Sequence, residues 1–216
     1  MIFSLHIYRP DRDVLRVSQI VESSRSEGPG VRFCLWLQGC DLRCPGCCNP
    51  EMFNFNSPNA PDMPVAALVD QLRRTRGIEG ITLLGGEPFH QAPAAGALAA
   101  AAQELGLGVL VFSGYDLDLL SAASAASTLL AHTDLLISGP YVAAARSIER
   151  PWVGSNNQQV HLLSARYQGH PDLAARRAQS VHVQLLDGEL RVTGWPGAIG
   201  GVSIRRPVRP TDEGKS

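Results

Sequence analysis

The residues best suited to chemistry are three cysteines on one short stretch, Cys40, Cys44 and Cys47, with the spacing C-x3-C-x2-C. Thiolate sulfur is a soft ligand that suits iron–sulfur clusters and zinc. Three thiolates can hold a four-iron cluster and leave one iron without a protein ligand, which is a place for chemistry, whereas a fully ligated cluster mainly carries electrons. Pro45 and Gly46 supply the tight turns that a loop around such a cluster requires.

The distribution of the cysteines limits the alternatives. All five lie between positions 34 and 48, and none follows later in the chain. A disulfide framework would spread them over distant segments, so the grouping indicates metal ligation in a reducing compartment. A structural zinc site needs four protein ligands, and a ferredoxin-type cluster needs a fourth cysteine. The counts therefore favour a cluster with one open iron over structural zinc or an electron-transfer cluster.

The composition is that of an ordinary globular protein. The 216 residues suffice for one sizeable domain with or without an appendage, and 44% are hydrophobic and 18% charged. A formal net charge of −1 gives no indication of nucleic-acid binding. No stretch of about 18 strongly apolar residues indicates a membrane segment, and the chain does not begin like a secretory signal. We therefore expect a cytoplasmic protein with neither nucleic acid nor membrane as a partner.

A strand must deliver the cysteine loop. Residues 31–38, directly before it, alternate between two faces and predict a half-buried strand. Cys34, on the same face as Trp36, is expected to be buried as a small apolar residue. The remaining patterns predict strands at 2–8, 14–21, 81–84, 109–112 and 135–137 and helices at 64–77, 93–106 and 117–130.

Strands that alternate with helices predict right-handed βαβ units, a parallel sheet and an α/β fold. In such folds, ligands bind at the carboxyl ends of the strands. The cysteine loop, the Gly85-Gly86-Glu87 loop and the loop that contains Ser113 each follow a predicted strand, so we expect them to share one rim. The glycines permit close backbone approach, and a glutamate carboxylate suits a cation. Ser113 and Ser138, which closes a further strand, could bond a ligand or be turn hydroxyls.

The end of the chain has a different character. Residues 181–186 and 189–193 are strand-like and flank Asp187-Gly188, which is a strong hairpin signal. We therefore divide the chain into a core, residues 1–164, and a C-terminal β-hairpin extension with a loose tail, residues 165–216.

Several sequence blocks around these loops resemble one enzyme family. The cysteine trio resembles the signature of the radical S-adenosylmethionine (SAM) enzymes. Over residues 28–163, the chain is similar to the branch that activates glycyl radical enzymes, most of all to the activating proteins of anaerobic ribonucleotide reductase and more distantly to pyruvate formate-lyase activating enzymes. The blocks include Trp36-Leu37-Gln38-Gly39-Cys40, Cys44-Pro45-Gly46-Cys47, Gly85-Gly86-Glu87-Pro88, Phe112-Ser113-Gly114-Tyr115 and Trp152-Val153-Gly154-Ser155-Asn156.

The resemblance implies a partial (β/α) barrel of the radical SAM type and two cofactors, one [4Fe-4S] cluster and SAM. In this family, SAM chelates the fourth iron and is cleaved reductively to a 5′-deoxyadenosyl radical. Cys48 directly follows Cys47, and because adjacent side chains cannot easily point at the same cluster, Cys48 is expected to lie behind the ligands or to face SAM. The implied residues are the catalytic cluster ligands Cys40, Cys44 and Cys47 and the cofactor-binding residues Gly46, Cys48, Gly85, Gly86, Glu87, Ser113 and Ser138.

The resemblance also implies partners. The radical would take a hydrogen atom from a glycine of a glycyl radical enzyme, with anaerobic ribonucleotide reductase as one candidate. Because there is no second cysteine group, the electron would come from an external donor such as flavodoxin or ferredoxin. Two alternatives stay open: a radical SAM enzyme that modifies a small molecule or a ribosomal peptide, and a non-catalytic iron–sulfur or zinc module. The segment after residue 164 makes this chain longer than the compact reductase activators. This added segment keeps open the alternative that the substrate is a small molecule or a ribosomal peptide.

Overall fold

A computed structural model describes residues 5–8, 11–147, 149–174, 181–186 and 189–194. None of the helices in these ranges has the length and apolar character needed to span a membrane. The strands are β1 (Val14–Ser24), β2 (Arg32–Leu37), β3 (Asp62–Pro64), β4 (Gly80–Gly85), β5 (Gly108–Phe112), β6 (Leu135–Ser138), β7 (Gln159–Leu162), β8 (Val181–Leu186) and β9 (Glu189–Gly194). The helices are α1 (Val65–Arg74), α2 (Ala92–Glu104), α3 (Leu117–Ala122), α4 (Ser127–Ala131) and α5 (Pro171–Ala174).

Seven strands form one mixed sheet in the order β3-β1-β2-β4-β5-β6-β7. The central strands β2, β4, β5 and β6 pair in parallel, which confirms the α/β class and the parallel sheet predicted from the alternation of strands and helices. The remaining pairs, β1 with β2, β1 with β3 and β6 with β7, are antiparallel. The strand pairing thus supports a parallel-rich α/β sheet.

The prediction that β2 is half-buried is wrong, because all residues of Arg32–Leu37 are buried. Phe33 and Leu35 belong to the main core, which also contains the buried faces of the helices. Cys34 and Trp36 point to the other face, where they pack in a smaller apolar cluster. A central strand of a parallel sheet is covered on both faces, and the alternation of side chains then reports two cores rather than a core and a solvent face.

The single helix predicted over 117–130 is also wrong. At about 100° per residue, Leu120 and Leu129 would lie on opposite faces of one continuous helix. The structure ends α3 at Ala122, has extended backbone at Ala123 (φ −92°, ψ 108°) and begins α4 at Ser127. This break lets both leucines reach the core, where each is fully buried.

The strands predicted near the two ends of the chain are confirmed only in part. The strand predicted at 14–21 is present as β1, but the one predicted at 2–8 is not a strand over residues 5–8. There, Leu5 and Ile7 pack on the main core, and backbone pairing is limited to Tyr8, whose N–H donates to the His90 carbonyl at 3.0 Å. Strands β8 and β9 pair antiparallel as expected for the hairpin. The Asp187-Gly188 turn, the predicted tail and residues 2–4 lie outside the described residues.

Candidate active site

The carboxyl ends of β2, β4 and β5 meet at one cavity of about 220 Å³. Parallel neighbours end on the same edge of a sheet, so the loops that follow these strands converge there, as the alternation of elements predicts. The site residues predicted from the sequence that line the cavity are Cys40, Cys44, Cys47, Cys48, Gly85, Gly86, Glu87 and Ser113.

Two predicted residues are not among those that line the cavity. Ser138 is buried, and its hydroxyl lies 2.9 Å from Nε2 of His161. Gly46 has a left-handed backbone (φ 77°), and a β-carbon there would contact Ala143 and Tyr141 at ordinary distances. The conformation rather than close packing therefore explains glycine at this position.

The cysteine loop is a compact turn whose thiols reach the cavity. The Cys47 N–H donates to the Cys44 carbonyl at 3.1 Å, and the Asn49 N–H donates to the Cys47 sulfur at 3.4 Å. Burial is the main cause that raises the pKa of Cys40 to about 12, and burial also raises the pKa of Cys44. In the absence of a cation, these thiols therefore stay protonated at neutral pH.

Cysteine thiolates favour two kinds of metal site, zinc and iron–sulfur clusters, which differ in how the ligands are arranged. In the described part of the chain, no three His, Cys, Asp or Glu side chains converge on a point that a single metal ion could occupy. A zinc site requires such convergence. The thiolates of a four-iron cluster each bind a different iron, so they stand farther apart around a larger object. By ligand count, the three cysteines on the cavity wall fit a four-iron cluster with one open iron, whereas structural zinc needs four protein ligands.

The Gly85-Gly86 segment lies directly against the cysteine loop. The Gly86 N–H donates to the Leu37 carbonyl at 2.7 Å, and the Glu87 N–H donates to the Gly39 carbonyl at 2.9 Å. A β-carbon on Gly86 would collide with the Gly39 carbonyl, and Gly85 has φ 105°. Glycine is required here for both close approach and backbone conformation, so these two loops form one continuous wall of the cavity.

Glu87 connects this wall to the loop after β5. Its carboxylate accepts hydrogen bonds from the Ser113 hydroxyl at 3.0 Å, the Gly114 N–H at 2.8 Å and the Phe89 N–H at 3.0 Å. The side chain is buried, and burial raises the pKa of Glu87 to about 7 although these three donors act in the opposite direction. The carboxylate that the family resemblance predicts to contact SAM is thus the hydrogen-bonded junction between two loops.

Aromatic side chains form much of the remaining wall, and they were not predicted as site residues. They come from separate elements, so no local spacing brings them together in the sequence. The blocks that contain Trp36, Phe112 and Trp152 carry part of the family resemblance. The aromatic residues that line the cavity are Trp36, Phe53, Phe112, Tyr141 and Trp152.

The C-terminal hairpin reaches the same cavity, which the sequence did not indicate. Thr193 and Gly194 at the end of β9 are among the lining residues. The Thr193 hydroxyl lies 2.9 Å from the hydroxyls of both Ser24 and Ser26, and the Gly194 N–H donates to the Glu27 carboxylate at 2.6 Å. These bonds attach the hairpin to the end of β1 and place it beside the site.

Comparisons with known proteins agree with this geometry. The model of the family described as "4Fe-4S single cluster domain" matches residues 26–161. The anaerobic ribonucleoside-triphosphate reductase-activating protein of Salmonella typhi is 36% identical over 143 residues, which cover 63% of this chain and 91% of that protein. The protein of the same name from Escherichia coli is 33% identical over 142 residues, with the same coverage. A pyruvate formate-lyase-activating enzyme of Staphylococcus epidermidis is 36% identical over 72 residues, 31% of this chain and 28% of that protein.

The matched region contains the cysteine loop and the loops after β4 and β5. The family uses a [4Fe-4S] cluster and SAM, and the cysteine trio beside a glycine-walled cavity is a donor set that fits both. The structure, the family model and the relatives therefore agree that this chain is an enzyme with these two cofactors. The chain belongs to the radical SAM activating proteins, within the 4Fe-4S single cluster domain family.

Proposed function

We propose that this chain activates an anaerobic ribonucleotide reductase by starting a glycyl radical in it. The observation that carries the proposal is the single cavity shared by the cysteine trio and the Gly85-Gly86 wall. The partner is supported by the names of relatives that are 33% and 36% identical over most of their own length.

Three cysteines, Cys40, Cys44 and Cys47, would bind three irons of the cluster and leave the fourth for SAM. When bound, the cluster and SAM supply one-electron reductive cleavage of a carbon–sulfur bond and a radical able to take a hydrogen atom from glycine. Since burial raises the pKa of Cys40 to about 12, this thiol would ionise only beside a metal cation.

The glycine wall and its supports would orient SAM. Gly85 and Gly86 pack closely on the backbone of Leu37 and Gly39, which would fix their own backbone at the cavity surface where SAM would bind. Glu87 would hold this backbone against the Ser113 loop through its three hydrogen bonds. Cys48 is exposed and lines the cavity, so we propose that it contacts SAM or the loop rather than an iron. Gly46, which has a left-handed backbone, would shape the cysteine loop.

The aromatic wall would protect the radical. A reactive carbon radical is lost to oxygen and to stray hydrogen-atom donors, so a closed site that prevents such side reactions favours transfer to the intended glycine. The rings of Trp36, Phe112 and Trp152 line the cavity and would provide this apolar surface. Ser138, bonded to His161, would support the β6 end of the same wall.

The proposal extends to the domain division, the electron donor and the cellular location. Residues 1–164 would form the radical SAM core, a partial (β/α) barrel, and residues 165–216 a C-terminal extension; in support, the family match ends at residue 161. The five cysteines all lie between positions 34 and 48, so we propose an external electron donor such as flavodoxin or ferredoxin. We place the reaction in the cytoplasm, without nucleic acid or membrane.

One observation favours a second candidate function. Thr193 and Gly194 line the cavity although they lie outside the family match over residues 26–161. An added wall could select a different substrate, such as a small molecule or a ribosomal peptide, for the same radical chemistry. The test below distinguishes this function from activation of a reductase.

The test is an anaerobic incubation of the reconstituted protein with SAM, a reductant and the reductase. We expect 5′-deoxyadenosine together with the doublet of a glycyl radical in the electron paramagnetic resonance spectrum. The control is the same reductase with its radical glycine replaced by alanine, which should give no doublet.

The other outcomes are equally informative. Cleavage of SAM without a doublet in the intact reductase would overturn the partner assignment and favour the second candidate. A verified four-iron sample that releases no 5′-deoxyadenosine would overturn both functions and leave a non-catalytic iron–sulfur module.

A further inference from the structure

Trp152, one of the aromatic residues that line the cavity, has an unusual backbone conformation. Its φ of 60° lies in the left-handed region, and among the described residues other than glycine only Arg43 also has a positive φ. A β-carbon is unfavourable in this region, and a bulky side chain is rarely found there. Glycine would adopt the same backbone without strain. Strain of this kind clusters at active sites and ligand sites, which points to a use for the indole ring at this position.

The residues that follow Trp152 hold this strained backbone in place. Oε1 of Gln158 accepts hydrogen bonds from the N–H groups of Gly154 at 2.9 Å and Ser155 at 3.2 Å. Nε2 of the same side chain donates to the Gly139 carbonyl at 2.9 Å, which ties the turn to the end of β6. A single amide thus makes three hydrogen bonds to backbone groups, and Gln158 fixes the turn that carries Trp152.

Trp152 lies between the protein interior and the cavity. It is half-buried and packs on the apolar cluster that contains Leu110, Ile137 and Val153. It also lines the cavity that the cysteine loop shares. The cluster supports the ring from one side, so the ring is a fixed part of the cavity wall.

The chemistry of the proposed ligands indicates what this ring would contact. An iron–sulfur cluster and the glycine of a partner have no aromatic group, whereas SAM has one, the adenine base. A flat base stacks favourably on an aromatic side chain, and tryptophan provides a large apolar face for it. The cysteine trio and Trp152 line one cavity, so both can serve a single SAM molecule. Of the aromatic residues in this wall, only Trp152 has a left-handed backbone.

We propose that Trp152 binds the adenine of SAM by stacking and that Gln158 is a positioning residue, which holds the turn of Trp152 in place. This role goes beyond the apolar shielding described above, because it makes the affinity for SAM depend on one aromatic ring. The inference rests on the proposed function, since it requires that SAM binds in this cavity.

The main test is the dissociation constant of SAM for the reconstituted protein without a reductant, measured by anaerobic calorimetry. SAM is not cleaved without an electron, so the measurement reports binding rather than activity. Trp152→Leu removes the aromatic ring and keeps an apolar side chain, and we expect binding to be about fivefold to tenfold weaker. Trp152→Phe keeps an aromatic face and should retain most of the affinity. Tyr8→Leu, at an aromatic residue that is 47% exposed and not among those that line the cavity, is the matched control and should bind SAM like the wild type.

A second ligand and a second residue locate the contact. 5′-Deoxyadenosine has the adenine and the ribose without the methionine, so Trp152→Leu should weaken its binding by the same factor as that of SAM. Gln158→Met keeps the length of the side chain and removes its hydrogen bonds, and it covers the case in which Trp152→Leu does not fold. It should weaken the binding of both ligands less than Trp152→Leu does. In the double variant it should add little, because its effect passes through the ring.

The strained backbone has a test of its own. Trp152→Ala and Trp152→Gly both remove the ring, but only glycine relieves the positive φ. We expect Trp152→Gly to unfold at a higher denaturant concentration than Trp152→Ala, while both variants lose the same affinity for SAM. If Trp152→Ala is the more stable of the two, the strain on which the inference depends is absent.

The outcomes separate this inference from the proposed function. Wild-type affinity for SAM in Trp152→Leu, or a loss in Trp152→Phe as large as that in Trp152→Leu, would overturn the contact with adenine and leave the proposed function standing. Unchanged affinity for SAM together with a raised KM for the reductase would also overturn it and assign Trp152 to the partner. A wild-type protein that contains four irons but binds no SAM would instead refute the proposed function.

Discussion

At the scale of single residues, Glu87 joins two of the loops that line the cavity, because its carboxylate accepts from Phe89 on its own turn and from Ser113 and Gly114 on the loop after β5. The family resemblance predicts that the same residue contacts SAM, and that contact stays a prediction. Cys48 also lines this cavity. Because it follows the proposed ligand Cys47, its thiol must be distinguished from those that bind iron.

The cysteines can be distinguished by iron content. Cys44→Ser should reduce the iron and acid-labile sulfide per chain well below four, because a hydroxyl is a poor ligand for iron at neutral pH. Cys48→Ser should keep four of each, because an exposed thiol next to Cys47 is not needed as a ligand. Chemical analysis of anaerobically reconstituted protein measures both. If Cys48→Ser loses as much iron as Cys44→Ser, the proposed ligand set is wrong.

The raised pKa of Glu87 predicts that the stability of the fold depends on pH. Burial raises the pKa of Glu87 from 4.5 to about 7, so the folded state binds a proton more tightly than the unfolded state. The stability from this carboxyl is fully present below pH 4.5 and is lost as the pH rises through 7, by up to about 3 kcal/mol. Thermal unfolding of Glu87→Gln and wild type should therefore show a difference that shifts in favour of the variant between pH 5 and 7.5.

The pKa of His90 is shifted in the opposite direction, so its effect on the pH dependence of stability is opposite to that of Glu87. Burial lowers the pKa of His90 from 6.5 to about 4, so its contribution is present above pH 6.5 and is lost as the pH falls through 4. In the wild type, the two effects partly cancel over this range, and Glu87→Gln should reveal the acid sensitivity of His90. A difference between Glu87→Gln and wild type that is independent of pH would contradict the raised pKa of Glu87.

At the scale of elements, tight packing decides features that sequence patterns leave open. The 117–130 segment has enough apolar residues for one helix, yet it forms two because Leu120 and Leu129 must face the same core. Helices α2 and α4 meet at Gly96, where a β-carbon would lie 2.8 Å from Thr128 and 2.9 Å from the Leu129 nitrogen. This close approach sets the position of α4 against α2.

Gly96→Ala should accordingly be destabilising despite the better helix propensity of alanine. Alanine favours a helix by about 1 kcal/mol relative to glycine, but its β-carbon would press on the backbone of α4, at a cost of about 1–3 kcal/mol. We expect a lower midpoint of chemical denaturation. Glu104→Ala, at an exposed position of the same helix, is the control and should change little. An increase in stability for Gly96→Ala would show that α4 moves aside freely.

At the scale of the whole molecule, the C-terminal hairpin and the core share the cavity. The hairpin is attached by a buried group of three hydroxyls, those of Ser24, Ser26 and Thr193, which lie 2.9–3.0 Å from one another. Buried hydroxyls that lose a partner are costly. Attachment of the hairpin therefore depends on a small polar contact next to the site.

Thr193→Val tests this attachment, because it removes one hydroxyl and keeps the shape. We expect a loss of about 1–2 kcal/mol and faster amide hydrogen exchange in β8 and β9 than in the wild type. Thr193→Ser, which keeps the hydroxyl, should retain slow exchange. Equal exchange rates in the hairpin for the wild type and both variants would indicate that other contacts hold it.

The cysteine ligand set and the order of the elements could be predicted from the sequence. Cysteine spacing depends on local chain geometry, and the alternation of strands and helices requires a parallel sheet whose loops share one rim. These are local or topological properties, so they can be inferred without coordinates. The sequence also predicted the Gly85-Gly86-Glu87 and Ser113 loops as neighbours of the cysteines, and they line the same cavity.

The distant side chains that complete the site could not be predicted from the sequence and are known from the folded structure. The aromatic wall and the hydroxyl contact of Thr193 join residues far apart in the chain. The burial of β2 on both faces and the break at Ala123 have the same origin. Each depends on how elements pack in three dimensions, and packing distances between distant segments leave no periodic signal in the sequence.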